Sequence, residues 1–144
     1  MHGGKNVHYV DRSTKRNKKM RTKKKFKKLW IASVDIEAAP GYEFNDLIDC
    51  SECNETLPAY NGAWANVILQ SETIKEALNL IEQGLSEKNF IVKFIDKIEN
   101  LYFLVEDNDV NVDIIKEAEW LYSSKFRFMI SDKLWPYLND ERDL

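Results

Sequence analysis

The sequence predicts an α+β domain of ferredoxin-like type, a βαββαβ antiparallel sheet with two helices on one face, plus an extra N-terminal strand. Two periodicities carry that prediction: short segments whose apolar residues alternate, and longer segments whose apolar residues recur at helical spacing. Their order is the third observation, because residues 63–131 read strand, helix, strand, strand, helix, strand. The resemblance is to an architecture and brings no function with it.

A first strand is expected over 29–38, where Trp30, Ala32, Val34, Ile36 and Ala38 alternate with Ile31, Ser33, Asp35 and Glu37. It reads as half-buried and as the extra strand, added at an edge or pairing with a partner. Pro40 and Gly41 end it, and residues 42–62, with Pro58, the Asn61-Gly62 pair and many acids, read as an irregular acidic insert. The segment 64–70 (WANVILQ) returns to strand character. Thr73 and Glu76 then stand at capping-box spacing before a helix whose Ile74, Ala77, Leu78, Ile81 and Leu85 share one face. Segments 90–98 and 101–105 read as two strands of a hairpin, since only Glu99 and Asn100 separate them. Amides and acids from Asn108 to Asn111 offer N-caps to a second helix reaching about Ser123, with Ile114, Ile115, Ala118, Leu121 and Tyr122 on its buried side. The last strand is expected over 125–130, where Phe126, Phe128 and Ile130 alternate with Lys125, Arg127 and Met129; Trp135 and Pro136 then suggest a short turn packed on the body.

With 144 residues, 44% of them hydrophobic, the chain has material for one core and is too short for two ordinary domains. The expected organisation is a disordered basic arm over 1–28, a single domain over 29–138 and a frayed tail over 139–144. The net charge of −3 conceals a division. Residues 1–28 hold twelve Lys/Arg against the single acid Asp11, so the remainder is strongly acidic. No apolar run approaches the roughly 20 residues that span a bilayer. No secretory signal follows the early lysines either, and an intracellular, cytoplasmic protein is expected. Met20 offers a second possible start within the arm.

Several features suggest chemistry and are outweighed by plainer readings. Cys50 and Cys53 have the spacing of half a zinc site or of a dithiol. There is no second pair, the only histidines are His2 and His8 in the arm, and the neighbouring Asp49 and Glu52 discourage a thiolate; only a metal shared across a dimer would supply four cysteines. The run Asp107 to Asp113 imitates a calcium loop, but Val112 stands where the turn needs glycine and Ala118 where the bidentate glutamate belongs. Helix capping accounts for those residues. Without a Gly-rich phosphate loop, a nucleophilic triad or a histidine outside the arm, no enzyme, cofactor or metal site is expected. Trp30, Trp64, Trp120 and Trp135 read as packing residues, although an exposed tryptophan would mark a binding surface.

Two functional readings follow. The first is a small non-catalytic protein-binding module of inhibitor or immunity-protein type, whose acidic surface binds a basic partner such as a toxin or nuclease. Its candidate residues are Asp35 and Glu37, on one face of the first strand, and Glu43, Asp46, Asp49, Glu52 and Glu55 in the insert. The second is a nucleic-acid- or ribosome-associated protein whose arm grips phosphates through Lys18, Lys19, Arg21, Lys23, Lys24, Lys25, Lys27 and Lys28, with the sheet facing the strand. The same lysines also fit a nuclear-import address, an anchor for anionic lipid, or a tail folded back on the acidic body. A homodimer binding a small molecule at its interface is a third, weaker possibility.

Overall fold

The computed structural model describes residues 24–48 and 58–138. Among these, four strands form one open antiparallel sheet: β1 (Leu29–Ala38), β2 (Gly62–Gln70), β3 (Phe90–Asn100) and β4 (Phe128–Tyr137), in the order β3-β1-β2-β4. Four helices accompany them: α1 (Phe44–Leu47), α2 (Ile74–Glu87), α3 (Leu101–Glu106) and α4 (Val112–Ser123). The class is therefore α+β. The order of elements and of strands differs from the expected βαββαβ arrangement in three respects.

First, β1 is an inner strand, hydrogen-bonded to β2 on one side and β3 on the other, where an edge position was expected. Its period-two pattern is real, but both of its faces find cover. Ala32, Val34 and Ile36 join Ala63, Ala65, Val67 and Leu69 of β2 in a core closed by Ala77, Ile81 and Leu85 of α2. On the opposite face, Leu29 and Ile31 join Ile68 in a second core closed by Leu101 of α3 and Ile114, Ala118 and Leu121 of α4. The helices thus lie on opposite faces of the sheet, and the expectation of two helices on one face is corrected.

Second, residues 101–105 are helical. Asn100 ends β3 and caps α3, its side-chain oxygen accepting from Tyr102 N at 3.1 Å. Leu101, Tyr102, Leu104 and Val105 then face the second core at helical spacing. Strand propensity is a weak prior and yields here to burial. Third, β4 starts later and runs further than expected, absorbing Trp135 and Pro136. Asn61 N donates to Tyr137 O at 3.0 Å, so Tyr137 turns its backbone toward β2 and Pro136 turns its nitrogen, which has no hydrogen to donate, toward the outer edge. Asp132 and Lys133 guard the same edge, while register shifts and the exposed Lys93, Asp96 and Lys97 guard that of β3.

The domain also begins earlier than residue 29. Lys25–Lys28 form a 3-10 turn that puts Phe26 into the second core at 3% exposure. Asn100 Nδ2 donates to Lys27 O at 2.8 Å and Ser71 N donates to Lys28 O at 2.9 Å, which pins the turn to β3 and to the end of β2. Within the expected insert, Phe44 of α1 is buried against Phe90, and Asn45 bridges to Pro58 O and Tyr60 N.

Glycine is required at two close approaches. A Cβ on Gly62 would lie 2.6 Å from the phenol oxygen of Tyr137 and against Ile36 O, and one on Gly84 would lie 2.6 Å from the Phe128 ring. Two predictions test this description. Phe26→Ala is expected to lower unfolding free energy by about 3–5 kcal/mol, measured by urea titration; a change near zero would put residues 24–28 outside the folded unit. Gly62→Ala is expected to cost roughly 1–3 kcal/mol by the same measurement, because both the Ile36 carbonyl and the Tyr137 ring have to move.

Candidate binding surface

The helices α3 and α4 cover only half of their side of the sheet, the half containing Leu29, Ile31, Ile68 and Met129. The register of the strands gives the composition of the other half. One row across the sheet reads Phe94, Asp35, Trp64, Trp135, and the next reads Ile91, Glu37, Gly62, Tyr137. A third contains Lys97, Ser33 and Asn66. Among the described residues no helix packs over these rows, and Phe94, Trp135 and Ile91 are exposed at 56%, 45% and 38%. The β3–β1 register shifts between Ser33 and Val34 and between Asp35 and Ile36 put Phe94 and Lys97 on this side.

Asp35 is enclosed there without a helix above it, at 2% exposure. Strands two apart in a sheet lie about 9.5 Å from each other. The rings of Phe94 and Trp64, carried by strands on either side of β1, nevertheless meet edge to face with centroids 6.3 Å apart. Both rings therefore lean inward over β1 and roof the carboxylate. Tyr137 closes the other side, its phenol donating to Asp35 Oδ1 across the space that Gly62 leaves open. At the border with α4, the irregular part of β4 is satisfied by Glu117, which accepts from Ser131 Oγ at 2.7 Å and Asp132 N at 3.0 Å. Lys133 Nζ lies 5.3 Å from the centroid of the Trp135 ring.

The four acidic candidates among the described residues are not gathered into one patch. Asp35 and Glu37 share a face as expected, but Asp35 is buried and serves the interior, leaving Glu37 as the partly exposed member. Glu43 and Asp46 are exposed beside Phe44, which docks on the α2 side of the sheet. Asp49, Glu52 and Glu55 lie outside the described residues, as do Cys50, Cys53 and both histidines. Of the basic candidates, Lys18, Lys19, Arg21 and Lys23 lie outside them too, and Lys24 is exposed. The rest contact the body: Lys25 pairs with Glu119 at 2.8 Å, Lys28 with Glu72 at 3.4 Å, and Lys27 Nζ lies 5.0 Å from the centroid of the Tyr102 ring. For these three, the tail-on-body arrangement is the one observed.

The capping interpretation of the calcium-like run agrees with the geometry. Asn111 Oδ1 accepts from Ile114 N at 2.9 Å to start α4, and Asp107 ends α3. Among the described residues no group of three or more His, Cys, Asp or Glu could hold a metal ion, and no helix is long and apolar enough to cross a membrane. Trp64, Trp135, Phe94 and Tyr137 were not read from the sequence as parts of one site. The exposed tryptophan was the available signal, and Trp135 and Trp120, at 45% and 53%, carry it.

A separate polar network fixes the start of α2. Thr73 Oγ1 accepts from Glu76 N at 3.2 Å, as the capping box requires. The Glu76 carboxylate accepts instead from Arg127 Nη2 and from Ser71 Oγ, tying the helix to the entry of β4. The Arg127 hydrogen bond, chiefly, holds the Glu76 carboxyl below its ordinary value.

No protein-family model matches the chain, and comparison with curated proteins and with solved structures returned no match.

Two outcomes are expected. Tyr137→Phe is expected to destabilise the fold by about 1–3 kcal/mol, because a buried carboxylate loses a donor; calorimetric melting measures it. A carboxyl depressed in the folded state stabilises above its unfolded pKa, and that contribution disappears as pH falls through the folded value. Stability measured against pH is therefore expected to fall on the acid side through this network, and Arg127→Ala is expected to shallow that slope.

Proposed function

We propose that this chain is a small non-catalytic protein-binding module of inhibitor or immunity type, which docks a basic partner such as a toxin or nuclease on the open half of its sheet. The observation that carries the reading is the row Phe94, Trp64, Trp135, with the exposed rings of Phe94 and Trp135 fixed on β-strands beside Glu37. Rigid aromatic side chains on strands lose little conformational entropy on binding, and tryptophan and tyrosine dominate interface hot spots. An arginine or lysine of the partner gains twice on such a surface, from the ring faces and from the Glu37 carboxylate. The acidic charge of residues 29–144 favours approach of a cationic partner at long range, in a cytoplasmic setting where nothing has to cross a membrane. In this account Asp35 acts from below by holding Tyr137 and the roof in place, and the contact is made by the rings and Glu37.

The test is capture of protein partners from the native host on immobilised wild-type chain and on a Phe94→Ala/Trp135→Ala variant. A basic protein retained by the wild type and lost by the variant is the expected outcome, with Glu37→Gln slowing association at low salt. Equal retention on both columns would refute the assignment of this surface.

A further inference from the structure

The outer edge of β4 is satisfied at both ends and open over a short stretch between them. Beyond Ile130, Asp132 N donates to Glu117 at 3.0 Å, and Pro136 has no hydrogen to donate. Before Phe128, Phe126 N donates to Ser124 Oγ at 3.1 Å and Phe126 O accepts from Gln70 Nε2 at 3.3 Å. The ladder with β2 decides what lies between. Gln70 N donates to Arg127 O at 2.9 Å, so Arg127 turns its backbone toward β2, and alternation along the strand gives Met129 the same orientation. Phe128 and Ile130 therefore turn their N–H and C=O groups away from β2, to the side on which no strand lies among the described residues.

Apolar side chains wall both sides of this stretch. Met129 lies on the α4 side, where the Trp120 and Phe126 rings stack with centroids 6.0 Å apart and planes inclined by 17°. On the α2 side, Phe128 and Ile130 pack on the core with Leu134. A groove of about 730 Å³ is lined from both sides of the edge by these residues and by Lys88. Trp120 and Phe126 are each more than half exposed, so core packing leaves their stack unexplained. The charges are mixed, since Lys88 and Asp132 both line the groove and Arg127 pairs with Glu76. What the groove selects is set by its backbone groups and its apolar walls.

We propose that the edge of β4 at Phe128 and Ile130 receives an extended, uncharged segment of a partner protein, which adds a strand to the sheet. An antiparallel strand brings two residues, two positions apart, whose own N–H and C=O groups meet those of Phe128 and Ile130. The residue between them falls opposite Met129 and sends its side chain to the α4 side, toward the Trp120–Phe126 stack. That position takes an apolar side chain. Alternating donors and acceptors at strand spacing are a property of polypeptide backbone, which excludes nucleic acid as the occupant. A second copy of this chain fits poorly, because pairing centred on Met129 sets Lys125 of each copy opposite Lys133 of the other. The inference is independent of docking on the open half of the sheet, which uses other rings and no edge.

The probe is the acetylated and amidated peptide Thr-Val-Thr-Leu-Thr-Val-Thr, with a control peptide in which each threonine is N-methylated and so has no backbone hydrogen to donate. Amide hydrogen exchange of the full chain is read residue by residue by NMR. In the free chain, exchange is expected to be fast at Phe128 and Ile130 and slow at Met129. Peptide at about ten times its Kd is expected to slow exchange at Phe128 and Ile130 about tenfold, and the control peptide to give no protection. Trp120→Ala is expected to weaken peptide binding on the order of tenfold, with an unchanged melting temperature because the side chain is exposed. Phe94→Ala/Trp135→Ala is expected to leave binding of the peptide unchanged, which keeps the two surfaces distinguishable. Slow exchange at Phe128 and Ile130 in the free chain, no protection by the peptide, equal protection by the control, or wild-type affinity in Trp120→Ala would overturn the proposal. Protection that grows with chain concentration in the absence of peptide would overturn it as well, by making the occupant a second copy.

Discussion

Enclosing a carboxylate in a sheet face without a helix above it is the constraint on which the candidate surface depends. Taking a charged group out of water is costly unless hydrogen bonds replace the lost solvent. Asp35 is 2% exposed, and the Tyr137 phenol is one of the groups that satisfies it. That contact requires the residue between them to have no side chain, which fixes Gly62. It also requires a cover on the β3 side, where the register shifts bring Phe94 against Trp64. Five residues on four strands are thereby committed to one arrangement, and exposed rings are its outward consequence.

The division of that sheet face has its own cause. Short α3, the 3-10 turn carrying Phe26, and α4 together have enough apolar surface to cover the Leu29 end of β1, and their apolar residues are spent there. Glu117 marks the limit by satisfying the irregular stretch of β4. Beyond it the face is built mainly from aromatic and polar residues, with Ile91 as its exposed aliphatic member. A surface of that composition is stable in water and retains ring faces for a partner. On the other side of the sheet, α2 and Phe44 close the core in the ordinary way, and Phe128 is set against Gly84.

Much of the architecture is legible in the sequence wherever a single periodicity runs long enough. The alternation of residues 29–38, the capped helix α2 and the apolar spacing of α4 all correspond to elements of the structure, although Ile74 and Leu78 of α2 and Tyr122 of α4, expected on the buried faces, are exposed. The failures have physical reasons. LYFLVE is too short for periodicity to separate strand from helix, and the deciding facts, the Asn100 cap and the second core, are tertiary. Alternation in β1 suggests one buried face, yet Leu29 and Ile31 belong to a core of their own. The site was legible only in fragments. Asp35 and Glu37 share a face, as period two demands, but nothing in a linear sequence shows that register shifts align Phe94 with Trp64 and Trp135. Charge counting treated Asp35 as surface, because burial of an acid depends on a tyrosine 102 positions away.

The most direct test of this account is the accessibility of individual aromatic side chains in the isolated protein, read by brief hydroxyl-radical labelling and mass spectrometry. Rapid modification of Phe94 and Trp135, with Tyr137 protected until the fold is denatured, is the result the account predicts. Protection of Trp135, or labelling of Tyr137 in the native state, would mean that the open half of the sheet is covered or that Asp35 is not enclosed, and either would contradict it.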